Sequence, residues 1–393
     1  MGHHTHDAAG PLSGIRVLDF TALLQGPLAT QILGDCGADI LKLEKKGGEW
    51  MRQWGIFMTR THGETDAYLA FNRNKRSVEV DLHDPEDRKR ILELAEQADV
   101  VVENFRPGVM ERAGLGYETL RQRNPRLIYA GASGYGRTGP YANRPGQDYL
   151  VQALTGAMWL TGRRNDPPLL FGVAIADQFT GLYLVIGILA ALQHRNRTGE
   201  GQRVDVDLLS CMMAVQQQEI TVFLNHHQSM ERPGENIGHP GVTGPCGVYA
   251  TCDGYLMLAM FPCPKLGQIL KVDWLAQYDT NEKMFAARDE IHKRLSDHFA
   301  THPTAYWMDL LSANDVWCAP VQCYADLEHD PQVAHKQLIW EVPYSDGTAT
   351  YRTVGSPLTF SSGFVGVRRS APRSGEHTAA FVQRSLWKND ADD

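Results

Sequence analysis

Apolar and polar positions along the first half of the chain follow two alternating patterns. Short apolar runs, which are typical of buried strands, are separated by longer segments with apolar residues at helical spacing. The strand-like runs are IRVLDF (15–20), ADILKLE (38–44), RSVEVDL (76–82), DVVVENF (99–105) and PRLIYAGAS (125–133). The segment DPEDRKRILELAEQA (84–98) opens with Asp-Pro, which favours a helix start. Strands that alternate with helices predict an α/β domain with a Rossmann-like parallel sheet.

The second half of the chain has a different pattern. A helical stretch, DLLSCMMAVQQQEITVFLNHH (207–227), is followed by the Gly- and Pro-rich segment RPGENIGHPGVTGPCG (232–247). VYATCDGYLMLAM (248–260) then predicts a hairpin that turns at Asp253-Gly254. Helical segments follow from 282 to 311, and strand-like pieces return from about 338. We therefore predict a large α/β domain over 1–225, an inserted smaller α+β domain over 226–335, and a closing segment over 336–393 that returns to the large domain.

One acidic residue stands out in PPLLFGVAIADQFTGLYLVIGILAALQ (167–193). Asp177 is the single formal charge in this stretch, and it precedes residues that read as a helix apolar nearly all round, which predicts that the helix is buried. An ionised carboxylate at such a place costs roughly 3 kcal/mol or more unless a partner compensates it. Three interpretations compete for Asp177: a helix N-cap, a titratable acid and a nucleophile. Helix N-terminal amides would keep the carboxylate ionised, so capping and catalysis are compatible.

Composition narrows the class of protein. The chain has 393 residues, 43% hydrophobic and 21% charged, with a formal net charge of −8. Mild acidity argues against a nucleic-acid-binding protein, for which a basic face is expected. Seven scattered cysteines without a CxxC pair indicate a reducing cytosol and neither a disulfide framework nor a zinc site.

Targeting and membrane features point the same way. The first ten residues, MGHHTHDAAG, have no apolar core and do not predict a signal peptide. The apolar run from Leu182 to Leu192 is shorter than the ~20 residues that a membrane span needs. We expect a cytoplasmic protein with no membrane partner.

Two further motifs bear on ligands. SGYGRTG (133–139) fits the dinucleotide fingerprint G-x-G-x-x-G, but PYANRPGQ follows where the fingerprint needs a helix, which argues against a nicotinamide cofactor. The segments NRNKRS (72–77) and ENFRPGVMER (103–112) place basic residues near predicted strand ends. Either these bind a phosphorylated ligand or they form a solvated surface, and their spacing does not decide between the two.

Taken together, these motifs resemble the family III CoA-transferases, the family of formyl-CoA transferase and carnitine CoA-transferase. The resemblance runs from GPLSGIRVLDF to GEHTAA, essentially the whole chain. It is carried by GADILKLE, NRNKRSVEVDL, ADVVVENFRPGVMERAGLGYETL, NPRLIYAGASGYGRTGPY, ADQFTGLYLVIGILAAL and GEGQRVDVDLL.

The resemblance implies a covalent mechanism in which Asp177 is the nucleophile. Its carboxylate would attack an acyl-CoA thioester, giving a mixed anhydride and CoA thiolate, and the acceptor acid would then take its turn. Acyl-CoA and a carboxylic acid are the implied substrates, with no permanently bound cofactor and no metal. Family members form two interlocked ring-like subunits, so the resemblance also implies a homodimer.

The CoA contacts of the family map onto this chain residue by residue. In chain order, the contacts fall into five groups. They are the turn beside the thioester arm, a basic phosphate contact after the second strand, the segment beside the adenine, the ENF loop with a second basic contact, and a loop that lines the pantetheine path. The corresponding residues are Leu24, Gln25, Lys45, Val80, Asp81, Leu82, His83, Asn104, Phe105, Arg106, Arg112, Arg144, Pro145, Gly146 and Gln147. Lys45 stands where the family often has Arg.

Two departures limit what the resemblance implies. The formyl-CoA branch has a run of glycines in the inserted domain, where this chain reads GHPGVTGPCG, so the loop that closes over its intermediates is in doubt. The α-methylacyl-CoA racemase branch shares the fold and uses a His-Asp pair for proton transfer. This chain has Gln147 at the histidine position, and Gln cannot act as a base, which argues against an acyl-CoA racemase or isomerase. A non-catalytic CoA-binding protein is a third class, disfavoured because the nucleophile position holds Asp.

Overall fold

The computed structural model of the chain describes residues 10–54, 60–61, 63–344, 346–384 and 386–387. The first nine residues, part of the segment that bears on a signal peptide, lie outside this set. The chain divides into two compact units. The larger unit comprises 1–151, 174–215 and 331–393, and the smaller comprises 152–173 and 216–330. The segment 152–173, which we placed in the large domain, thus falls in the smaller unit. The predicted domain limits at 226 and 335 stay a prediction, because compactness does not establish independent folding.

A six-stranded parallel sheet forms the centre of the larger unit. Its strands are β1 (Arg16–Asp19), β2 (Asp39–Glu44), β5 (Lys75–Glu79), β6 (Val100–Glu103), β7 (Ile128–Ser133) and β8 (Arg203–Asp207). They are hydrogen-bonded in the order β5-β2-β1-β6-β7-β8, all parallel. The order reverses direction between β1 and β6. In open α/β sheets the crevice at such a switch point, at the carboxyl ends of the strands, is where ligands bind.

Helices cover both faces of this sheet, as the alternation of strands and helices predicts. Those of the larger unit are α1 (Gln25–Asp35), α2 (Asp66–Phe71), α3 (Pro85–Ala95), α4 (Val109–Arg112), α5 (Tyr117–Arg123), α8 (Ile175–Thr198), α9 (Leu208–Val215), α16 (Pro331–His335) and α17 (Thr378–Val382), and α6 (Asp148–Leu154) begins in it. On one face Val17, Ile40 and Val100 pack against α1 and α8. On the other, Leu18, Leu41 and Val101 pack against α3, α5 and α17. Successive residues of one strand therefore serve opposite faces, which is why these strands read as continuous apolar runs.

Smaller elements complete the larger unit. Two antiparallel pairs are formed by β3 (Arg60–Thr61) with β4 (Glu64–Thr65) and by β12 (Ile339–Pro343) with β13 (Thr350–Val354). A short 3-10 turn spans Trp50–Arg52. The β12–β13 pair accounts for the strand-like pieces expected after 338.

The smaller unit is α+β, as the second-half pattern predicts. Its antiparallel sheet has the order β11 (Cys318–Pro320), β10 (Tyr255–Leu258) and β9 (Gly247–Ala250), so the hairpin turning at Asp253-Gly254 is present. Its helices are α7 (Ala157–Leu160), α10 (Gln217–His226), α11 (Cys263–Leu270), α12 (Asn281–Ala286), α13 (Arg288–Phe299), α14 (Thr304–Ser312) and α15 (Tyr324–Leu327). A core that includes Tyr249, Leu256, Ile291 and Trp307 joins sheet and helices. The stretch 207–227, predicted as one helical segment, is two helices, α9 and α10.

Helix α8 is longer than the apolar run that predicted it. By length and composition alone, its 24 residues suffice to cross a membrane. However, 44% of its most apolar window is buried within the structure, where Leu184 and Ile188 pack against the parallel sheet. One face of α8 therefore packs into the core of the larger unit. Its other face exposes Leu182, Tyr183, Ile186 and Leu189. Within a single subunit, the prediction that the helix is buried on all sides is therefore wrong.

Candidate active site

Asp177 lies in the first turn of α8 and does not cap it. The helix begins at Ile175, its N-cap position is Ala174, and no side chain caps it there. The backbone N–H of Asp177 instead donates to Oδ2 of Asp148, at 2.9 Å. Asp148 is buried at the start of α6. The N-cap interpretation of Asp177 is therefore wrong, because the helix begins two residues before it and Asp177 lies inside the first turn.

The environment of Asp177 favours its protonated form. Burial raises the pKa of the Asp177 carboxyl to about 7, and the neighbouring Asp148 carboxylate adds to the rise. The expectation that helix amides keep Asp177 ionised is therefore corrected near neutral pH, because burial and the Asp148 carboxylate raise its pKa. A carboxyl that titrates near neutral pH is a more basic nucleophile than an ordinary aspartate, and perturbed groups of this kind concentrate at functional sites.

The start of α1 lies beside the first turns of α8. A side chain at Gly181, one turn after Asp177, would meet the carbonyl oxygen of Gln25 at 2.8 Å, so only glycine permits this approach. Leu24 occupies the N-cap position of α1 and Gln25 is its first residue. The Gln25 side-chain oxygen Oε1 is buried without a hydrogen-bond partner in the part of the chain that the structure describes. Of the residues expected near the thioester arm, Gln25 is thus placed within a turn of Asp177.

A cavity of about 560 Å³ opens at the carboxyl ends of β1, β2, β5 and β6, at the switch point of the sheet. It brings together six of the residues expected to contact CoA, from three separate loops. They are Lys45, Val80, Asp81, Leu82, His83 and Phe105. Apolar side chains dominate the wall, and Lys45 and Lys46 supply positive charge.

Sequence reasoning missed one prominent wall residue of this cavity. Trp50 is half exposed, and its indole stacks on Trp54 with ring centroids 4.7 Å apart and an interplanar angle of 9°. The segment KKGGEWMRQW, with two tryptophans after a strand end, was the available signal. Such exposed aromatic surface beside a cavity offers a stacking platform to a planar ring.

The loop after β6 divides the expected CoA residues into two groups. Phe105 lines the cavity, whereas the Asn104 side chain is hydrogen-bonded to both backbone groups of Ala22. Arg106 and Arg112 are exposed and are not among the residues that line the cavity. Their phosphate contacts therefore stay a prediction.

The loop 144–147 leads directly into Asp148. Arg144 stacks on the ring of Tyr141 at 3.9 Å, and the Cα of Gly146 approaches that of Gly134 so closely that a Cβ on either would clash. This crossing explains the first glycine of SGYGRTG by packing alone. The next helix after β7 begins only at Asp148, so the dinucleotide fingerprint lacks its helix. Whether Arg144, Pro145, Gly146 and Gln147, which are all exposed, contact CoA stays a prediction.

The basic segment 72–77 turns out to be largely buried, which neither proposed interpretation anticipated. Arg73 forms an ion pair with Asp35 at 2.6 Å, and Lys75 lies 3.2 Å from Asp19. All four side chains are buried. These cations neutralise buried carboxylates, so they form neither a phosphate site nor a solvated surface. Among the described residues, no cluster of three or more His, Cys, Asp or Glu side chains has the arrangement of a metal site.

Comparison with known proteins identifies the family. The model of CoA-transferase family III matches residues 12–378. The chain belongs to CoA-transferase family III. One relative, a succinate–glutarate CoA-transferase from Agrobacterium fabrum, is 38% identical over 95% of this chain and 95% of its own length. Another, a succinyl-CoA:mesaconate CoA-transferase from Haloarcula hispanica, is 36% identical over 96% of each chain.

Solved structures agree with this assignment. A CaiB/BaiF family protein from Brucella suis superposes with a TM-score of 0.85 at 32% identity, over 96% of this chain and 100% of that one. The family III membership expected from the motifs is therefore confirmed, as are the α/β fold class and the enzyme class. The protein is a CoA-transferase, which moves CoA between an acyl-CoA and a carboxylic acid.

Proposed function

We propose that this family III CoA-transferase works by covalent catalysis at Asp177. A carboxylate oxygen of Asp177 attacks the thioester carbonyl, the C–S bond breaks, and CoA leaves as thiolate. The thiolate then attacks the Asp177 carbonyl carbon of the mixed anhydride, which releases the donor acid and leaves an enzyme–CoA thioester. The acceptor carboxylate attacks that thioester, and the returning thiolate takes the acceptor acyl group, so Asp177 is regenerated.

The observation that supports this proposal is the place of Asp177 beside the Asp148 carboxylate, which accepts from its amide at 2.9 Å. Burial and the second carboxylate raise the pKa of Asp177 to about 7. Elsewhere in the same unit, buried carboxylates such as Asp19 and Glu44 have cationic partners. Asp177 is instead held next to a second carboxylate, and groups with pKa values raised in this way concentrate at functional sites.

For CoA, we propose that the adenosine end occupies the cavity at the switch point of the sheet. Its apolar wall and Val80–His83 suit a planar base, Trp50 offers a stacking surface, and Lys45 and Lys46 suit phosphate oxygens. From there the pantetheine arm reaches the start of α1, where Leu24 and the unpaired Oε1 of Gln25 lie next to α8.

Short dicarboxylic acids are the proposed acyl groups. Relatives that cover nearly all of this chain are named for succinate, glutarate and mesaconate, and an acetyl-CoA:oxalate CoA-transferase from Acetobacter aceti is 35% identical over 84% of this chain and 85% of its own length. We propose succinyl-CoA as donor and a dicarboxylate of two to five carbons as acceptor.

We further propose that the enzyme is a cytoplasmic homodimer. Within the larger unit, α8 exposes a stripe of Leu182, Tyr183, Ile186 and Leu189, and within the smaller unit Trp159 and Trp317 are more than three-fifths exposed. Apolar surface of this extent marks an interface. A cytoplasmic location fits seven cysteines, none of which is joined in a disulfide in the structure.

Substrate screening with a matched variant tests the proposal. Purified enzyme is incubated with a panel of acyl-CoAs and carboxylic acids, and CoA products are followed by mass spectrometry. We expect transfer from succinyl-CoA to at least one short dicarboxylate, and its loss in Asp177→Asn, which keeps the shape of the side chain. In deuterated water, a 2-methylacyl-CoA is expected to show no exchange at its α-carbon. Exchange without an acceptor acid would instead indicate a racemase.

A further inference from the structure

The turn at the carboxyl end of β1 holds an unusual backbone conformation. Leu23 has φ +70°, in the left-handed region that side-chain-bearing residues rarely adopt, although it is neither Gly nor Asn. Such a conformation persists only where the surroundings impose it. Residues 21–23, which we name the β1 turn, lead directly into α1.

Asn104 grips the central residue of the β1 turn. Its Oδ1 accepts from the N–H of Ala22 at 2.9 Å, and its Nδ2 donates to the carbonyl oxygen of Ala22 at 2.8 Å. The oxygen and the nitrogen of the Asn104 side-chain amide are thus both hydrogen-bonded to the backbone of Ala22. This joins the loops at the ends of β1 and β6, the two strands that flank the switch point.

Lys42 and Glu49 hold the residues on either side of Ala22. Nζ of Lys42 donates to the carbonyl oxygen of Thr21 at 2.7 Å and pairs with Oε1 of Glu49 at 2.7 Å. Oε2 of Glu49 accepts from the N–H of Leu23 at 2.7 Å. Lys42 is fully buried and Glu49 nearly so. Three successive residues are therefore each fixed by a side chain from a different part of the chain.

The β1 turn determines where α1 begins. Leu24 at the N-cap position makes no side-chain cap, and the first amides of any α-helix have no intrahelical partner. The carbonyl oxygen of Gln25 lies against Gly181, one turn after Asp177. A shift of the β1 turn would thus move Leu24 and Gln25 relative to Asp177.

We propose that Asn104 and Glu49 are positioning residues for CoA transfer. They hold the β1 turn and thereby fix the position of Leu24 and Gln25 relative to Asp177. This rests on the function proposed above. It also reassigns Asn104: its side chain acts on the β1 turn and does not bind CoA. Its loss is then expected to lower kcat, because a displacement of about 1 Å beside a reacting centre can cost about 100-fold in rate.

The test compares Asn104→Ala with Asn124→Ala. Asn124 is a matched control, since its amide also donates to backbone carbonyls, those of Ala95 and Ala98, away from the site. Three quantities are measured: kcat, the Kd for CoA by calorimetry, and amide hydrogen exchange at Ala22 and Leu23. For Asn104→Ala we expect kcat to fall about 10- to 100-fold, Kd to stay within about twofold, and exchange to speed up about tenfold or more. Asn124→Ala is expected to change none of the three by more than about twofold.

Two outcomes would overturn the proposal. One is unchanged exchange at Ala22 and Leu23 in Asn104→Ala, and the other is a Kd for CoA that rises as much as kcat falls. If Asn104→Ala does not fold, Glu49→Met carries the same test, since Met keeps the length of the side chain but cannot accept from the N–H of Leu23. If Asp177→Asn retains full transfer, the proposed function fails, while exchange at Ala22 and Leu23 still tells separately whether Asn104 holds the β1 turn.

Discussion

Two aspartates of the larger unit are both shielded from water, Asp19 completely and Asp177 in part, yet their surroundings are opposite. Asp19, at the end of β1, is fully buried, with Oδ2 3.2 Å from Nζ of Lys75 and 2.6 Å from Oγ1 of Thr30. Burial raises its pKa, but Lys75, Lys42 and two hydroxyl donors outweigh burial, so the pKa of Asp19 is lowered overall. Asp177 has Asp148 beside it instead, and its pKa is raised to about 7.

The comparison shows that burial alone does not distinguish a structural carboxylate from a functional one. Around Asp19, charges and hydrogen bonds are matched, and the result is a fixed scaffold under the β1 turn. Around Asp177, burial is combined with a like charge, and the result is a group that can gain or lose a proton near neutral pH. The scaffold is rigid so that the reactive group can be placed accurately.

The largest effect on stability is expected when Asp19, the aspartate with cationic partners, is replaced. Asp19→Asn removes the charge opposite Lys75, which leaves a buried cation without its partner. We expect the free energy of unfolding to fall by about 3–5 kcal/mol, measured by urea denaturation. A decrease of less than about 1 kcal/mol would show that the Asp19–Lys75 pair contributes no more to stability than a solvent-exposed ion pair.

The opposite sign is expected at Asp177. Between about pH 4 and pH 7 the folded protein retains a proton on Asp177 that the unfolded chain has released, so ionisation there costs stability as pH rises. Asn cannot ionise. Asp177→Asn is therefore expected to be more stable than wild type by roughly 1–3 kcal/mol above pH 8, and equal to it near pH 4. Thermal melts at both pH values measure this, and an Asn variant less stable at pH 8 would contradict it.

A finer effect concerns the pH dependence of the reaction. If Asp177 is the nucleophile as proposed, it must be ionised to attack, so kcat/KM of the wild type is expected to fall as pH drops below about 7. Asp148→Asn removes the like charge but retains an oxygen that can accept from the Asp177 amide. The acid limb of its pH–rate profile should move to lower pH. A limb that stays in place would mean that Asp148 does not raise the pKa of Asp177.

The smallest effect is expected at the cavity. Lys45→Met keeps the length of the side chain but removes its charge, and the CoA phosphates do not change charge during transfer. We expect the KM for acyl-CoA to rise about three- to tenfold with little change in kcat. A fall in kcat at unchanged KM would place Lys45 at the reacting centre and not at the phosphates.

The fold could be predicted largely from local patterns, because the strands of a parallel sheet that is buried on both faces are continuous apolar runs in the sequence. The strands at 16–19, 39–44, 100–103 and 128–133 fall inside the predicted runs. The division of 207–227 into α9 and α10 did not follow, since the break at Gln216 has neither Gly nor Pro. Helix α8 was predicted to be buried on all sides, because apolar positions around a helix do not reveal which of them pack within the same subunit.

The site was predictable only where residue type and role coincide. Lys45 and Val80–His83 follow strand ends and do line one cavity. The contact of Asp148 with the Asp177 amide spans 29 positions, and the grip of Asn104 on Ala22 spans 82, so no local pattern encodes either. The burial of Arg73 and Lys75 likewise depends on carboxylates contributed by distant elements.

The most direct test of the central claim uses an acceptor acid whose carboxylate carries ¹⁸O. If the acceptor attacks an Asp177–CoA thioester or anhydride, and thiolate then attacks the acceptor carbon, one labelled oxygen remains on Asp177. After turnover, digestion and mass spectrometry, the peptide containing Asp177 is therefore predicted to carry ¹⁸O, and the peptide containing Asp148 is not. Full turnover with no label on Asp177 would contradict covalent catalysis at this residue.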